Sequence, residues 1–252
     1  MSFAVSADAY GRFMGRFSEP LAAHLADAAD VRPGHRAADV GCGPGALTAE
    51  LVARLGEDAV VAVDPSPPFV AATRARFPGV QVVEGVAEAL PFADDTVDRA
   101  LAQLVVHFMS DPVRGIAEMA RVTRPGGVVA ACVWDHAGGG SPLTTFWDAV
   151  HDLDPDAPGE ATLAGAREGH LVELFEEAGL RDVQGSRLAV DVAFASADAW
   201  WEPFTLGVGP AGAYVARLDA DARDALRRRC AELLPEPPFD LTAAAWCAVG
   251  VV

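Results

Sequence analysis

Five short apolar runs alternate with helical segments through the first half of the chain, and no other feature limits its possible folds as strongly. The runs are "RAADVGCG" from Arg36, "AVVAVDPS" from Ala59, "GVQVVEG" from Gly79, "VDRALAQLVV" from Val97 and "VVAACVW" from Val128. Among them lie "GALTAELVARLG", residues 67–76 and residues 112–122, each with the length and apolar spacing of a helix. Strands apolar throughout and separated by helices predict a parallel sheet covered on both faces. Right-handed crossovers then make it doubly wound. The expected class is α/β with a mostly parallel sheet.

Upstream, residues 8–29 carry Phe13, Phe17, Leu21 and Leu25 at intervals of four, a helix with one apolar stripe, and Pro33-Gly34 closes it. After Trp134 the rhythm changes. "DHAGGGSPL" predicts a loop, residues 143–165 hold Trp147 among several Asp and Pro, and a helix is expected from about Glu168 to Ala178. "VQGSRLAVDVAF" and the terminal "TAAAWCAVGVV" predict two more strands, with residues 197–235 helical between them. Two aromatic-bearing insertions, 135–167 and 197–235, thus interrupt the late sheet without a linker. One domain with a helical cap is expected over 1–252.

Composition removes several function classes. The formal charge is −17, and all 19 basic residues are Arg. Without Lys there is no Walker lysine for nucleoside triphosphates, no Schiff-base lysine for pyridoxal phosphate and no Tyr/Lys catalytic pair. Non-specific nucleic-acid affinity comes from clustered basic residues, so no nucleic-acid partner is expected. The cluster Arg227-Arg228-Arg229 sits in a helical pattern and reads as a solvated face. Cys42, Cys132, Cys230 and Cys247 form no CxxC pair and have no His at zinc-ligand spacing. Neither a metal centre nor a disulfide framework is expected, and the thiols fit a reducing compartment. No run of about 18 apolar residues occurs, and "MSFAVSADAYGRFMGRFSEP" lacks a basic start followed by an apolar stretch. Neither a signal peptide nor a membrane span is expected, and the default location is the cytoplasm.

The stretch "ADVGCGPGALT", residues 38–48, places three glycines in five positions after the first predicted strand. Ligands of a parallel sheet sit beyond the carboxyl ends of its strands, where the strand order reverses. Glycine lets a ligand approach such a loop without a Cβ in the way. Asp64, about twenty residues further on, ends the second strand, where a carboxylate commonly grips two ribose hydroxyls. A dinucleotide is one reading, because Gly41-x-Gly43-x-x-Ala46 satisfies the relaxed phosphate-loop fingerprint. Asp39 argues against it: a carboxylate is unwelcome beside a pyrophosphate and suits a cationic amino acid. The loop reads better as holding a sulfonium amino acid.

In order and spacing, "ADVGCGPG", "VVAVDPS", "EGVAEALPFADDTVDRALAQLVVHF" and "RVTRPGGVVAA" resemble the class I S-adenosylmethionine-dependent methyltransferases. The resemblance covers roughly residues 36–133 and implies a Rossmann-like sheet with S-adenosylmethionine as cofactor. It implies that Gly41, Gly43 and Gly45 pass under the methionine moiety and ribose, with Asp39 near the ammonium group. Asp64 would bind both ribose hydroxyls and Pro65 would flank adenine. Ala87 would offer its backbone N–H to the adenine ring, with Glu88 beside it and Gln103 near the methionine moiety. Relatives often carry Asp where this chain has Val86, so the adenine amino group needs another acceptor, for which Glu88 is the candidate. An N-terminal helix often folds over the cofactor in this family, which makes Tyr10 and Arg16 candidates for its carboxylate end. The implied organisation is a helical lid at 1–34, a cofactor core at 35–134 and the two cap insertions.

The function expected is methyl transfer to a small-molecule acceptor by direct displacement, at an O, N or C nucleophile. A nicotinamide oxidoreductase and a non-catalytic S-adenosylmethionine-binding protein are the alternatives. His107, after the fourth strand, is the candidate general base, set against a role as a packed histidine. His136, His151 and His170 are expected on the surface. Trp147, Trp200 and Trp201 fit a cap core, but two adjacent Trp are not expected to point inward together from one helix face. One of them is a candidate for lining a substrate pocket.

Overall fold

The computed structural model describes residues 6–252; the first five residues of the predicted N-terminal segment lie outside the described residues. A short helix α1 (Ala7–Tyr10) runs through one π-helical turn (Gly11–Gly15) into α2 (Arg16–Ala28). The stripe predicted from the sequence forms: Phe13, Phe17, Leu21 and Leu25 are all buried. The chain then alternates β1 (Ala37–Val40), α3 (Ala46–Leu55), β2 (Val60–Asp64), α4 (Pro67–Arg76), β3 (Gln81–Glu84), β4 (Val97–Gln103), α5 (Pro112–Val122) and β5 (Thr123–Trp134). Proline in the first turn starts both α4 and α5, where its missing N–H costs nothing. Asp111 caps α5 by accepting from the Arg114 N–H.

The later chain supplies α6 (Thr144–Leu153), α7 (His170–Glu177), β6 (Arg181–Phe194), α8 (Ala197–Trp201), α9 (Gly209–Arg217), α10 (Ala220–Leu233) and β7 (Phe239–Val251). The seven strands form one sheet in the order β3-β2-β1-β4-β5-β7-β6. Pairing is parallel from β3 through β5, and β7 lies antiparallel between β5 and β6. The sheet is Rossmann-like and mostly parallel. The late hairpin-like pair β6–β7 distinguishes it from the dinucleotide-binding order, which ends on a sixth strand in sequence.

Side chains alternate across the sheet and divide the core in two. Ala130, Cys132 and Trp134 face α2, α3 and the cap, whereas Val129, Ala131 and Val133 face α5 and α7. All four cysteines are free and buried. Among the described residues no helix is long and apolar enough to cross a membrane.

Three local expectations need correction. The Pro125-Gly126-Gly127 turn lies inside β5: Thr123 pairs with Val97, and the ladder resumes at Val128 opposite Arg99 after a register shift. The helical stretch 197–235 is broken, because Gly207 adopts a left-handed backbone (φ 74°) and Asp219 opens α10 as its cap. Trp200 and Trp201 are both buried, at 3% and 7% exposure. The short helix α8 packs against both β6 and α10, and both indoles lie near Phe204.

Candidate functional site

A cleft of about 500 Å³ opens beyond the carboxyl ends of β1 to β4, around the point where the strand order reverses between β1 and β4. The glycine loop forms its floor. Gly41 and Cys42 both donate their N–H to the Val63 carbonyl, which folds the loop back onto β2. Gly41 has φ 74°, and a Cβ there would stand 2.5 Å from a Val105 methyl, so backbone and packing both require glycine. At Gly43 a Cβ would meet nothing within 4 Å. That position is open toward the cleft, as a close ligand approach demands.

Asp64 ends β2 with both carboxylate oxygens oriented: Oδ2 accepts from Gly43 N–H and Oδ1 from Ser66 N–H, each at 2.8 Å. Burial raises its pKa against these two hydrogen bonds. Pro65, Ala87 and Glu88 share the cleft wall with it, as does the exposed side chain of Val86. Glu88 Oε1 accepts from Ser110 N–H and Oγ at 2.7 Å and from Asp111 N–H at 3.3 Å. Partial burial opposes ionisation of Glu88, but these donors hold its carboxyl below the usual range. Tyr10 closes the rim, packing edge-on against Phe69 at 5.4 Å. Burial and the nearby Asp64 push its phenol up to about 12.

Behind the loop lies a narrow gap bordered by Ser18, Asp39, Cys42 and Gln103. Asp39 accepts from Thr48 Oγ1 at 2.5 Å. Burial pushes its carboxyl up to about 7; the Thr48 bond opposes that rise and Asp64 adds to it. Gln103 donates to the Ser18 carbonyl at 2.8 Å, while its Oε1 and the Ser18 hydroxyl are buried without partners.

Tyr10, Gly41, Gly43, Asp64, Pro65, Ala87, Glu88 and Gln103 are thus brought to one cleft, with Asp39 at its deep end. Gly45 and Arg16 are not. Gly45 turns the chain into α3 beside Phe77 and Thr73, and the Arg16 guanidinium lies over the Phe194 ring at 4.9 Å. The helical phase that buries Phe13 and Phe17 sends Arg16 toward β6, away from the cleft.

A second, apolar pocket of only about 40 Å³ borders the cleft, sharing Tyr10, Leu104 and Phe108 with it. His107 lines this chamber, buried, with Nδ1 unpartnered. Burial, with a smaller contribution from His136, pushes its pKa down to about 3. His136 is not on the surface as expected: both ring nitrogens are buried without partners, and its ring lies 5.9 Å from that of His107. His170 is half-buried and accepts from Gly165 N–H, while His151 is exposed as expected. Sequence reasoning missed Glu160, which borders the same chamber. A lone Glu in a Pro- and Asp-rich loop carries no periodic signal that would have found it.

Residues 38–131 match the family described as "Methyltransferase domain". The 2-methyl-6-phytyl-1,4-hydroquinone methyltransferase 2 of Oryza sativa, a chloroplastic protein, is 35% identical over 155 residues, covering 61% of this chain and 41% of that protein. The chain spans less than half the length of that relative. A structure from Anabaena variabilis, assigned as a methyltransferase from an antibiotic biosynthesis pathway, superposes with a TM-score of 0.64 at 18% identity, covering 92% of this chain and 97% of that one. A geranyl diphosphate methyltransferase in complex with S-adenosylmethionine superposes at 0.54 and 16% identity, covering 94% and 87%. Sheet order, cleft position and family match together define a class I methyltransferase fold. Within this chain the match to the methyltransferase family spans residues 38–131.

Proposed function

We propose that the protein transfers a methyl group from S-adenosylmethionine to a small-molecule acceptor. The observation that carries this reading is the cleft at the reversal of strand order, with an oriented carboxylate at Asp64 and an open backbone at Gly43. The residues present fit the cofactor. The unpartnered Gln103 Oε1 and the Asp39 carboxylate offer acceptors to an ammonium group, and the open face of Gly43 admits a chain lying on the loop. Asp64 would take the ribose hydroxyls on the lone pairs its two backbone bonds leave free. Pro65 and Ala87 would border adenine, and Glu88 Oε2 is the oxygen left for its amino group. Tyr10 would cover the bound molecule, whereas Arg16 has no part in this reading.

When bound, S-adenosylmethionine supplies a methyl group already activated by its sulfonium, so no metal or covalent enzyme intermediate is required. The chain's contribution is alignment and exclusion of water, which supply much of the acceleration in such transfers. His107 stays neutral at pH 7 and is a poor proton acceptor in its buried setting, so we assign it to positioning rather than to general-base catalysis. The charge of −17 supports a small molecule over a nucleic acid.

The decisive experiment is calorimetric titration with S-adenosylmethionine and with NAD, followed by an acceptor panel read by product mass. Binding of the first alone, with a methyl-sized mass gain on one acceptor class, is expected. Binding of NAD alone would overturn the reading, and cofactor binding with no methylated product from any acceptor would leave a binding protein.

A further inference from the structure

The gap behind the glycine loop measures about 20 Å³ and shares Gly41, Gly43 and Gln103 with the cleft. That is room for one water-sized group. Its polar wall consists of acceptors. Gln103 Oε1 and the Ser18 hydroxyl are buried without partners, on residues 9% and 2% exposed. The Asp39 carboxylate, 1% exposed, completes the set. Leaving such atoms unpaired is costly. Three acceptors around a water-sized gap match a group with three N–H donors.

The charges around the gap are one-sided. Asp39 takes its hydrogen bonds from Thr48, from the hydroxyl at 2.5 Å and from the backbone amide. Asp64, at the end of β2, places a second carboxylate near it. The Tyr10 phenol from α1 and the Cys42 thiol from the loop are both kept neutral by burial and by these carboxylates. Among the described residues, α2, α3 and β4 bring no ionisable side chain to the wall, and no Arg or His borders it. A carboxyl group buried beside a like charge and without a cation favours its protonated form. Burial is the largest cause and carries Asp39 up to about 7.

We propose that Asp39 is uncharged before the cofactor binds, and that the cofactor's ammonium group, on entering the gap, drives the Asp39 proton out to solvent. The proposal deepens the methyltransferase reading and rests on it for the identity of the ligand. Protonated Asp39 and a ligand ammonium become a carboxylate–ammonium pair and one released proton. No bond other than the carboxyl O–H is broken. An α-ammonium keeps its own charge below about pH 7.7, so the proton comes from Asp39. Once seated, the ammonium offsets the repulsion from Asp64 and gives Gln103 Oε1 and the Ser18 hydroxyl the donors they lack. Acid therefore opposes cofactor binding: as pH falls through 7, the proton on Asp39 is increasingly hard to displace.

The test is calorimetry on the full chain with S-adenosylhomocysteine and with 5′-methylthioadenosine, which keeps the adenosine and sulfur but lacks the amino acid. Each titration is run at pH 5.5 and pH 7 in buffers of different ionisation enthalpy, which counts the protons released. At pH 5.5 we expect S-adenosylhomocysteine to release close to one proton and to bind about ten-fold more weakly than at pH 7. Methylthioadenosine should release none and keep its affinity, which removes Asp64 and the adenosine contacts as the source. Asp39→Asn, which retains an acceptor for Thr48, should bind S-adenosylhomocysteine without releasing a proton. Binding of S-adenosylhomocysteine to wild-type protein with no proton released overturns the proposal and leaves the cofactor reading standing. Equal release with methylthioadenosine, or in Asp39→Asn, does the same. If the variant misfolds or methylthioadenosine binds too weakly to measure, the other control decides. No binding of S-adenosylhomocysteine at either pH strikes the methyltransferase reading itself, and the proposal with it.

Discussion

Gln103, the last residue of β4, donates its side-chain amide to the backbone carbonyl of Ser18 in α2, at 2.8 Å and across 85 positions of sequence. The bond latches the N-terminal helix over the end of the sheet, and the same side chain presents its free Oε1 to the deep end of the cleft. Gln103→Leu should therefore cost about 0.5–1.5 kcal/mol of stability through the lost bond to Ser18. It should also weaken S-adenosylmethionine binding. Chemical denaturation and calorimetry on one preparation check both; a stable variant with full affinity would show that the latch has no consequence.

Gly41→Ala should destabilise the fold by about 2–4 kcal/mol, combining left-handed strain with overlap against Val105. Adding Val105→Ala should recover the overlap part and leave the strain. Urea midpoints for the single and double variants separate the two contributions.

Asp64→Ala should weaken S-adenosylmethionine binding by roughly 1.5–3 kcal/mol, the usual worth of hydrogen bonds to a charged group. The variant also releases the Gly43 and Ser66 amides, so some loosening of the loop is expected in the melting curve. An unchanged dissociation constant in a folded variant would remove this carboxylate from the cofactor site.

His107→Gln should leave turnover within a few-fold of wild type, because an imidazole held near pKa 3 is already neutral and weakly basic. A fall of about 10² with cofactor affinity intact would restore it as the general base. The acid side offers an independent readout. A depressed histidine pKa contributes stability that is present above the unfolded value near 6.5 and is lost as pH falls toward about 3. The variant should show a shallower loss of melting temperature over that window.

For Glu160 the sign is opposite. Its folded pKa is raised to about 7 from 4.5, so its contribution is complete below pH 4.5 and is lost as pH rises through 7. Glu160→Gln should remove roughly 3 kcal/mol of the pH-dependent stability between those limits. Asp39, also pushed up to about 7, titrates in the same window in both proteins and cancels in the comparison.

The β–α alternation, the glycine loop and Asp64 at the end of β2 were legible in the chain because each is a local pattern. An apolar run of four or five residues must be buried, a helix repeats every 3.6, and a loop of three glycines announces a close backbone approach. The residues of the cleft follow from these, since the end of each parallel strand points to the same edge of the sheet. What joined Gln103 to Ser18, turned Arg16 onto Phe194, buried both Trp200 and Trp201, and put Glu160 and His107 on the wall of one pocket was decided only by tertiary packing. Those relationships depend on which faces of distant segments meet, and composition and periodicity specify a face without naming its partner. Glu160 lies in irregular chain between α6 and α7, where no local period ties a residue to a place.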